Sequence, residues 1–186
     1  MTPEQNCTAC GGPIDARFAR ILKGVCGKCK IKQIEADPLF QLLKSLSDRV
    51  RQSPMGIATL SESERNYYVV TVFLNQVLNG GFHQFFYNDS GSLCKAVEQA
   101  LEALGETSIL NILRKARDTA FPGTLVLQDI EVRRDSLPFV EDANDAPESV
   151  KLLRQLNSEF YKFSEDLSLR LQSYARNNGL ITENLS

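Results

Sequence analysis

The chain has 186 residues, of which 42% are hydrophobic and 24% charged, and its formal net charge is −2. That is an ordinary globular balance, with room for one main domain and a small appendage. No apolar run approaches the ~20 residues of a bilayer span. The polar start, Met1–Asn6, is followed by no signal-type apolar stretch. A cytoplasmic setting without membrane contact is therefore expected, where paired cysteines read as metal ligands before disulfides.

The charge is unevenly spread. Residues 1–35 hold six Lys/Arg against three Asp/Glu, a net +3. Residues 36–186 hold 15 against 20, a net −5.

Cys7-x2-Cys10 and Cys26-x2-Cys29 stand fifteen residues apart. Each pair presents two thiolates to one ion, with the intervening segment expected to fold back as a hairpin. This spacing predicts a four-cysteine zinc ribbon over 1–35. Four thiolates fill the tetrahedron and leave no position for water, so the expected Zn²⁺ is structural. So short a segment buries little apolar surface, and the metal should supply much of its folding energy. Arg17, Arg20, Lys23, Lys28, Lys30 and Lys32 decorate it. They read as a solvated basic face or as a nucleic-acid contact.

A linker with a connecting helix is expected over 36–60. Asp37-Pro38 supplies an N-cap and a first-turn proline, and Leu39, Leu42, Leu43, Leu46 and Val50 form one stripe. Ser53-Pro54-Met55-Gly56 breaks the chain. Ser61-x-x-Glu64 is a capping box, and it opens a helix from about 62 to 78 that is apolar on most sides. Such a helix is the central one of its domain.

Asn79-Gly80-Gly81 then reads as a helix C-cap and a sharp change of direction. Phe82, Phe85, Phe86 and Tyr87 follow, and four aromatics in six residues should be pinned inside a core. The amides of Asn79, Gln84 and Asn88 leave a polar site as the second reading of this corner. Further helices are expected over 92–104, over 108–120 with Thr107 or Ser108 as cap, over a short stretch between Asp129 and Leu137, and over 149–176. Residues 179–186 read as a tail. Cys94 reads as an inert buried thiol.

The run Phe73, Asn75, Val77, Asn79, Gly80, Gly81, Phe82, Gln84, Phe85, Phe86, Asn88, Ser90 and Gly91 resembles the signature of the DNA-mimic protein family. A second matching block is Glu159–Phe163 with Asp166, Leu167 and Tyr174. The resemblance covers about 60–178. It implies an all-helical domain over 61–178 without catalytic machinery, and some members are acidic proteins that occupy the DNA-binding surface of a regulator. In this family Asn79, Gly80, Gly81, Phe82, Gln84 and Phe85 are the structural signature.

The fold class expected is therefore mainly α: a helical bundle preceded by a small zinc-ribbon module. Enzymatic chemistry is hard to assemble. His83 is the one histidine, and there is no phosphate loop, no G-x-S-x-G elbow and no histidine metal pair. The most acidic window is 129–148, where Asp129, Glu131, Asp135, Glu141, Asp142, Asp145 and Glu148 face only Arg133 and Arg134. Together with the resemblance, it suggests a surface for a basic partner, whether a DNA-binding regulator, a nuclease or a toxin. The alternatives are a zinc-ribbon adaptor that touches nucleic acid and an immunity-type protein that caps a toxin.

Overall fold

Fifteen residues between two cysteine pairs hold no alternating pattern, and their apolar positions Ile14, Phe18, Ile21 and Leu22 are spaced for helical turns. The computed structural model describes residues 5–123, 126, 128–137 and 146–181, with 5, 16 and 17 described in backbone only. Two compact units follow one another, 1–45 and 46–186.

In the first unit, β1 (Gln5–Asn6) pairs antiparallel with β2 (Pro13–Ile14), Gln5 opposite Ile14. A tight turn carries Cys7 and Cys10 between them. Gly11 sits in it at φ +72 and donates its N–H to the Cys7 carbonyl at 2.8 Å. The expected hairpin between the cysteine pairs is replaced by the single turn α1 (Ala16–Ala19) and a loop. Among the described residues strand pairing is confined to the surroundings of the first pair, and the second pair opens a helix, α2 (Gly27–Glu35). No residue of α2 is buried, so no core-facing stripe announced it. The core of this unit is Cys7, Ile14 and Ala19, with Val25, Cys26 and Cys29 packed against it.

α3 (Pro38–Gln52) begins as expected: the Asp37 carboxylate accepts from the N–H groups of Leu39 at 2.8 Å and Phe40 at 3.2 Å. It runs on into the second unit, where Leu46 is buried.

In the second unit α4 (Glu62–Tyr87) opens on the capping box. Glu64 N–H donates to Ser61 Oγ at 3.4 Å, and Ser61 N–H donates back to Glu64 Oε2 at 2.9 Å. The same carboxylate pairs with Arg49 at 2.5 Å. Gly80 (φ −155) and Gly81 (φ +74) leave helical geometry, and helical turns resume at once. The corner is thus a break within a helix rather than a helix end. The N–H of Phe82, freed by the break, donates to Asn157 Oδ1 at 2.8 Å.

Beyond the break Phe82, Phe85 and Phe86 enter the core. Phe73 meets Phe85 at 5.0 Å and Phe160 at 5.3 Å, both edge to face. Tyr87 departs from the expectation: it is 37% exposed and stacks on His83. Its hydroxyl makes full burial costly without a partner, and its position one residue past Phe86 turns it away from the core face.

A 3-10 turn (Asp89–Leu93) leads into α5 (Cys94–Ala103). α6 (Thr107–Ala120) is entered from Glu106, not from Thr107 or Ser108, and no side chain caps it. The Glu106 carboxylate is engaged instead by Arg170 at 2.5 and 2.8 Å. Then come the short α7 (Ile130–Asp135) and the long α8 (Glu148–Asn177). α8 packs along α4 and α6, burying Leu153, Leu156, Phe160, Leu167 and Leu171 at heptad-like spacing. α4 also packs on α5 and so holds the centre of the bundle.

Gly81 is the residue this arrangement cannot replace. A Cβ there would stand 2.8 Å from Asn157 Cγ, on a backbone that L side chains rarely adopt. Gly81→Ala is expected to lower unfolding stability by about 2 kcal/mol or more, read from the urea midpoint of the full chain. An unchanged midpoint would show that the break relaxes freely.

Candidate metal centre and partner surface

The cysteine centre is built from a turn and a helix end. The N–H of Cys7 donates to the Gly12 carbonyl at 2.7 Å, and the N–H of Thr8 donates to the Gly24 carbonyl at 3.0 Å, which ties the first knuckle to the loop ahead of α2. Cys26 is the N-cap of α2, and Cys29 lies in its first turn, both at the end where the helix dipole favours anions. The four sulfurs of Cys7, Cys10, Cys26 and Cys29 all lie within 4.8 Å of one another. Cys10 Sγ and Cys26 Sγ stand 3.8 Å apart. Zn–S bonds of about 2.3 Å in a tetrahedron place sulfurs about 3.8 Å apart, so the donor set fits a zinc-sized ion.

Electrostatics agree with that fit. The Cys26 N–H donates to Cys7 Sγ at 3.2 Å and, with the amides of Ala9 and Cys10, brings the Cys7 thiol down to about 6. The thiols of Cys10 and Cys26 push Cys29 up to about 12. Four sulfurs in contact do not all ionise unless a cation stands among them, and a dication removes the conflict.

The acidic window is only partly described: Glu141, Asp142 and Asp145 lie outside the described residues. Asp129 is committed to capping α7, accepting from Glu131 N–H at 2.9 Å and Val132 N–H at 3.2 Å. Glu131 pairs with Arg134 at 3.4 Å. Asp135 and Glu148 are exposed.

The two arginines of this window have structural work that the sequence did not announce. Arg133 is 1% exposed. Its guanidinium donates to the carbonyls of Phe86 at 2.6 Å, Asn88 at 2.8 Å and Gln128 at 3.3 Å. Arg134 donates to the Tyr87 carbonyl at 3.2 Å and stands 4.8 Å over the Tyr87 ring. A helix end leaves carbonyls without intrahelical partners and carries partial negative charge, so two cations there suit α4. Gly91 makes room for them, since a Cβ would stand 2.7 Å from Arg133 Nε. Only the glycine hinted at a close approach. Arg133→Met is expected to cost about 3 kcal/mol in a urea melt, because it leaves buried carbonyls unpaired, while Arg134→Met costs about 1 kcal/mol or less. Equal small effects would overturn the capping role.

The polar residues of the glycine corner form a relay. Asn79 Nδ2 donates to Gln84 Oε1 at 2.9 Å, Gln84 Nε2 donates to Gln76 Oε1 at 3.1 Å, and Asn88 Nδ2 donates to the same oxygen at 2.8 Å. Gln76 and Asn88 line a cleft of about 520 Å³ with Tyr68, Asp89, Ser92 and Arg134. Asn79 and Gln84 do not line it. The relay packs on the break: a Cβ at Gly80 would overlap the Gln84 side chain. Cys94 is buried, and burial pushes its thiol up to about 12. Among the described residues no helix is long and apolar enough to cross a membrane.

No curated protein and no solved structure matches the chain. A family model described as DMP19-like protein matches residues 58–178, a stretch that holds the capping box, the glycine break, the aromatic cluster and the whole of α8, and that leaves the cysteine centre outside. The match spans more than half of the sequence, and the chain belongs to the DMP19-like protein family.

Proposed function

We propose that this chain is a non-enzymatic protein-binding module whose helical unit occupies the nucleic-acid-binding surface of a regulator or nuclease. Membership of the DMP19-like family carries this reading, since that family supports a DNA-mimic type of protein binding. In such binding, exposed carboxylates stand where phosphates stand and meet the partner's Arg and Lys. Of the acidic window, Asp135, Glu141, Asp142, Asp145 and Glu148 are the candidates for partner contact. Asp129 caps α7 through Oδ1, and Glu131, largely exposed, pairs with Arg134 at 3.4 Å, so both are engaged locally in the free protein.

Each such contact is worth little alone and acts mostly through association rate and salt dependence. The test is therefore collective. The partner is first captured from native cells and identified by mass spectrometry. Glu141, Asp142, Asp145 and Glu148 are then changed together to Gln or Asn. Affinity for that partner is expected to fall about tenfold at low salt, with a flatter salt dependence. Unchanged affinity and slope would remove this surface from the account. Direct binding of DNA by the intact protein, lost on changing Arg17, Arg20 and Lys23, would favour the nucleic-acid adaptor instead.

Cys7, Cys10, Cys26 and Cys29 are proposed to hold one structural Zn²⁺. The cluster of four sulfurs supports this. The ion would bring charge neutralisation and cross-linking of the turn to α2, with no open position for catalysis. Ligand thiols must lose their protons to bind the ion, so affinity falls as pH drops. Native mass spectrometry of freshly purified, reduced protein is expected to give one zinc per chain at neutral pH and loss of zinc on acidification. Metal-free protein at neutral pH, or zinc retained by Cys10→Ser at wild-type affinity, would overturn the assignment.

A further inference from the structure

The first unit leaves several large apolar side chains outside. Its small core holds Ile14 and Ala19 beside the cysteines, with Val25 partly buried against them. Ile21 is 73% exposed, Ile31 56% and Ile34 44%. A module whose core is a cysteine cluster does not need these residues inside, but their exposure costs free energy unless something covers them.

Their placement is regular. At 100° per residue, Ile31 and Ile34 lie about 60° apart on α2, and each is about 140–160° from Cys29. They therefore face away from the metal centre. On the same helix Lys30 lies beside Ile34 on one flank, and Lys28 lies beyond Glu35 on the other. All of them are exposed. Ile21 stands between exposed Arg20 and Lys23 in the loop after α1. The pattern is an apolar strip with cations along its rim and Glu35 at its C-terminal end.

We propose that this face of α2 is a docking strip for an acidic amphipathic helix of a partner protein, independent of the carboxylate surface of the second unit. Charge complementarity selects the acidic rim, and the paired isoleucines call for apolar residues at i and i+3 or i+4 on the partner. A nucleic acid fits less well, because a phosphate backbone can pair with the lysines but leaves Ile31 and Ile34 uncovered. A membrane surface fits less well too, because nine helical residues span only about 14 Å and offer two apolar anchors.

The test uses the full-length zinc-loaded protein and a displayed library of random short peptides, with Ile31→Ser/Ile34→Ser as the counter-selection. Both positions are exposed, and unchanged zinc stoichiometry reports an intact module. Enriched peptides are expected to carry apolar residues at helical spacing flanked by Asp or Glu. A synthesised enriched peptide should bind the double serine variant at least about tenfold more weakly, the loss expected of a removed apolar anchor. Lys28→Gln/Lys30→Gln should weaken binding less and flatten its salt dependence. No enrichment, enrichment of basic peptides, or affinity unchanged in the serine variant would overturn the proposal. So would isoleucine-dependent binding of duplex DNA or of anionic phosphatidylserine vesicles without any peptide binding.

Discussion

A helix that breaks in its middle must find a partner for each amide it releases, and a buried amide without one costs about 1–3 kcal/mol. In this chain the partner of the Phe82 N–H is the Asn157 carboxamide, supplied by α8 from seventy-five residues away. That one bond fixes where α4 and α8 meet. It sets the register at which Phe82 and Phe160 face each other, 5.8 Å apart, and Phe73 joins them from the first half of α4. It also explains why the glycine at 81 is bare: the carboxamide occupies the space of a Cβ. The break redirects the last turns of α4, and with them the carbonyls that Arg133 must satisfy.

The second constraint follows from the first. Once α4 ends against the core, its terminal carbonyls are partly shielded from water, and cations from α7 close them. This places a short helix of mixed charge at the edge of the bundle, with its arginines turned in and Asp135 turned out. By count the window is strongly acidic, but the fold divides it into acids that cap or pair and acids left for solvent. Counting charges along a sequence overstates the field, because capping and pairing use some of them locally.

Much of the helical unit was legible. The Asp37 cap, the Ser61–Glu64 box and the long stripe of α8 are local signals, each set by residues within a turn or two, and the structure has them at those positions. The glycine pair was legible as a change of direction but not as a break with helix on both sides, because that outcome depends on Asn157. Arg133 was invisible for the same reason: a surface-type residue becomes a buried cap only when distant carbonyls are brought to it. In the first unit α2 was missed because its apolar residues point outward and make no core-facing stripe. The four cysteines were plain because metal-ligand spacing is a short-range rule.

The cysteine module has a further consequence for how this chain changes over generations. A hydrophobic core constrains the identity of every residue that packs in it, and a change of one methylene is felt. Where four sulfurs and the left-handed glycines at 11 and 24 define the fold, the other surface positions carry little of that constraint. The outward face of the first unit can then change in hydrophobicity and charge without loss of the fold. The glycine break and its asparagine, by contrast, hold the second unit nearly still. One polypeptide thus joins a scaffold that tolerates little substitution to a display surface that tolerates much, and new recognition specificities would arise in the display surface first.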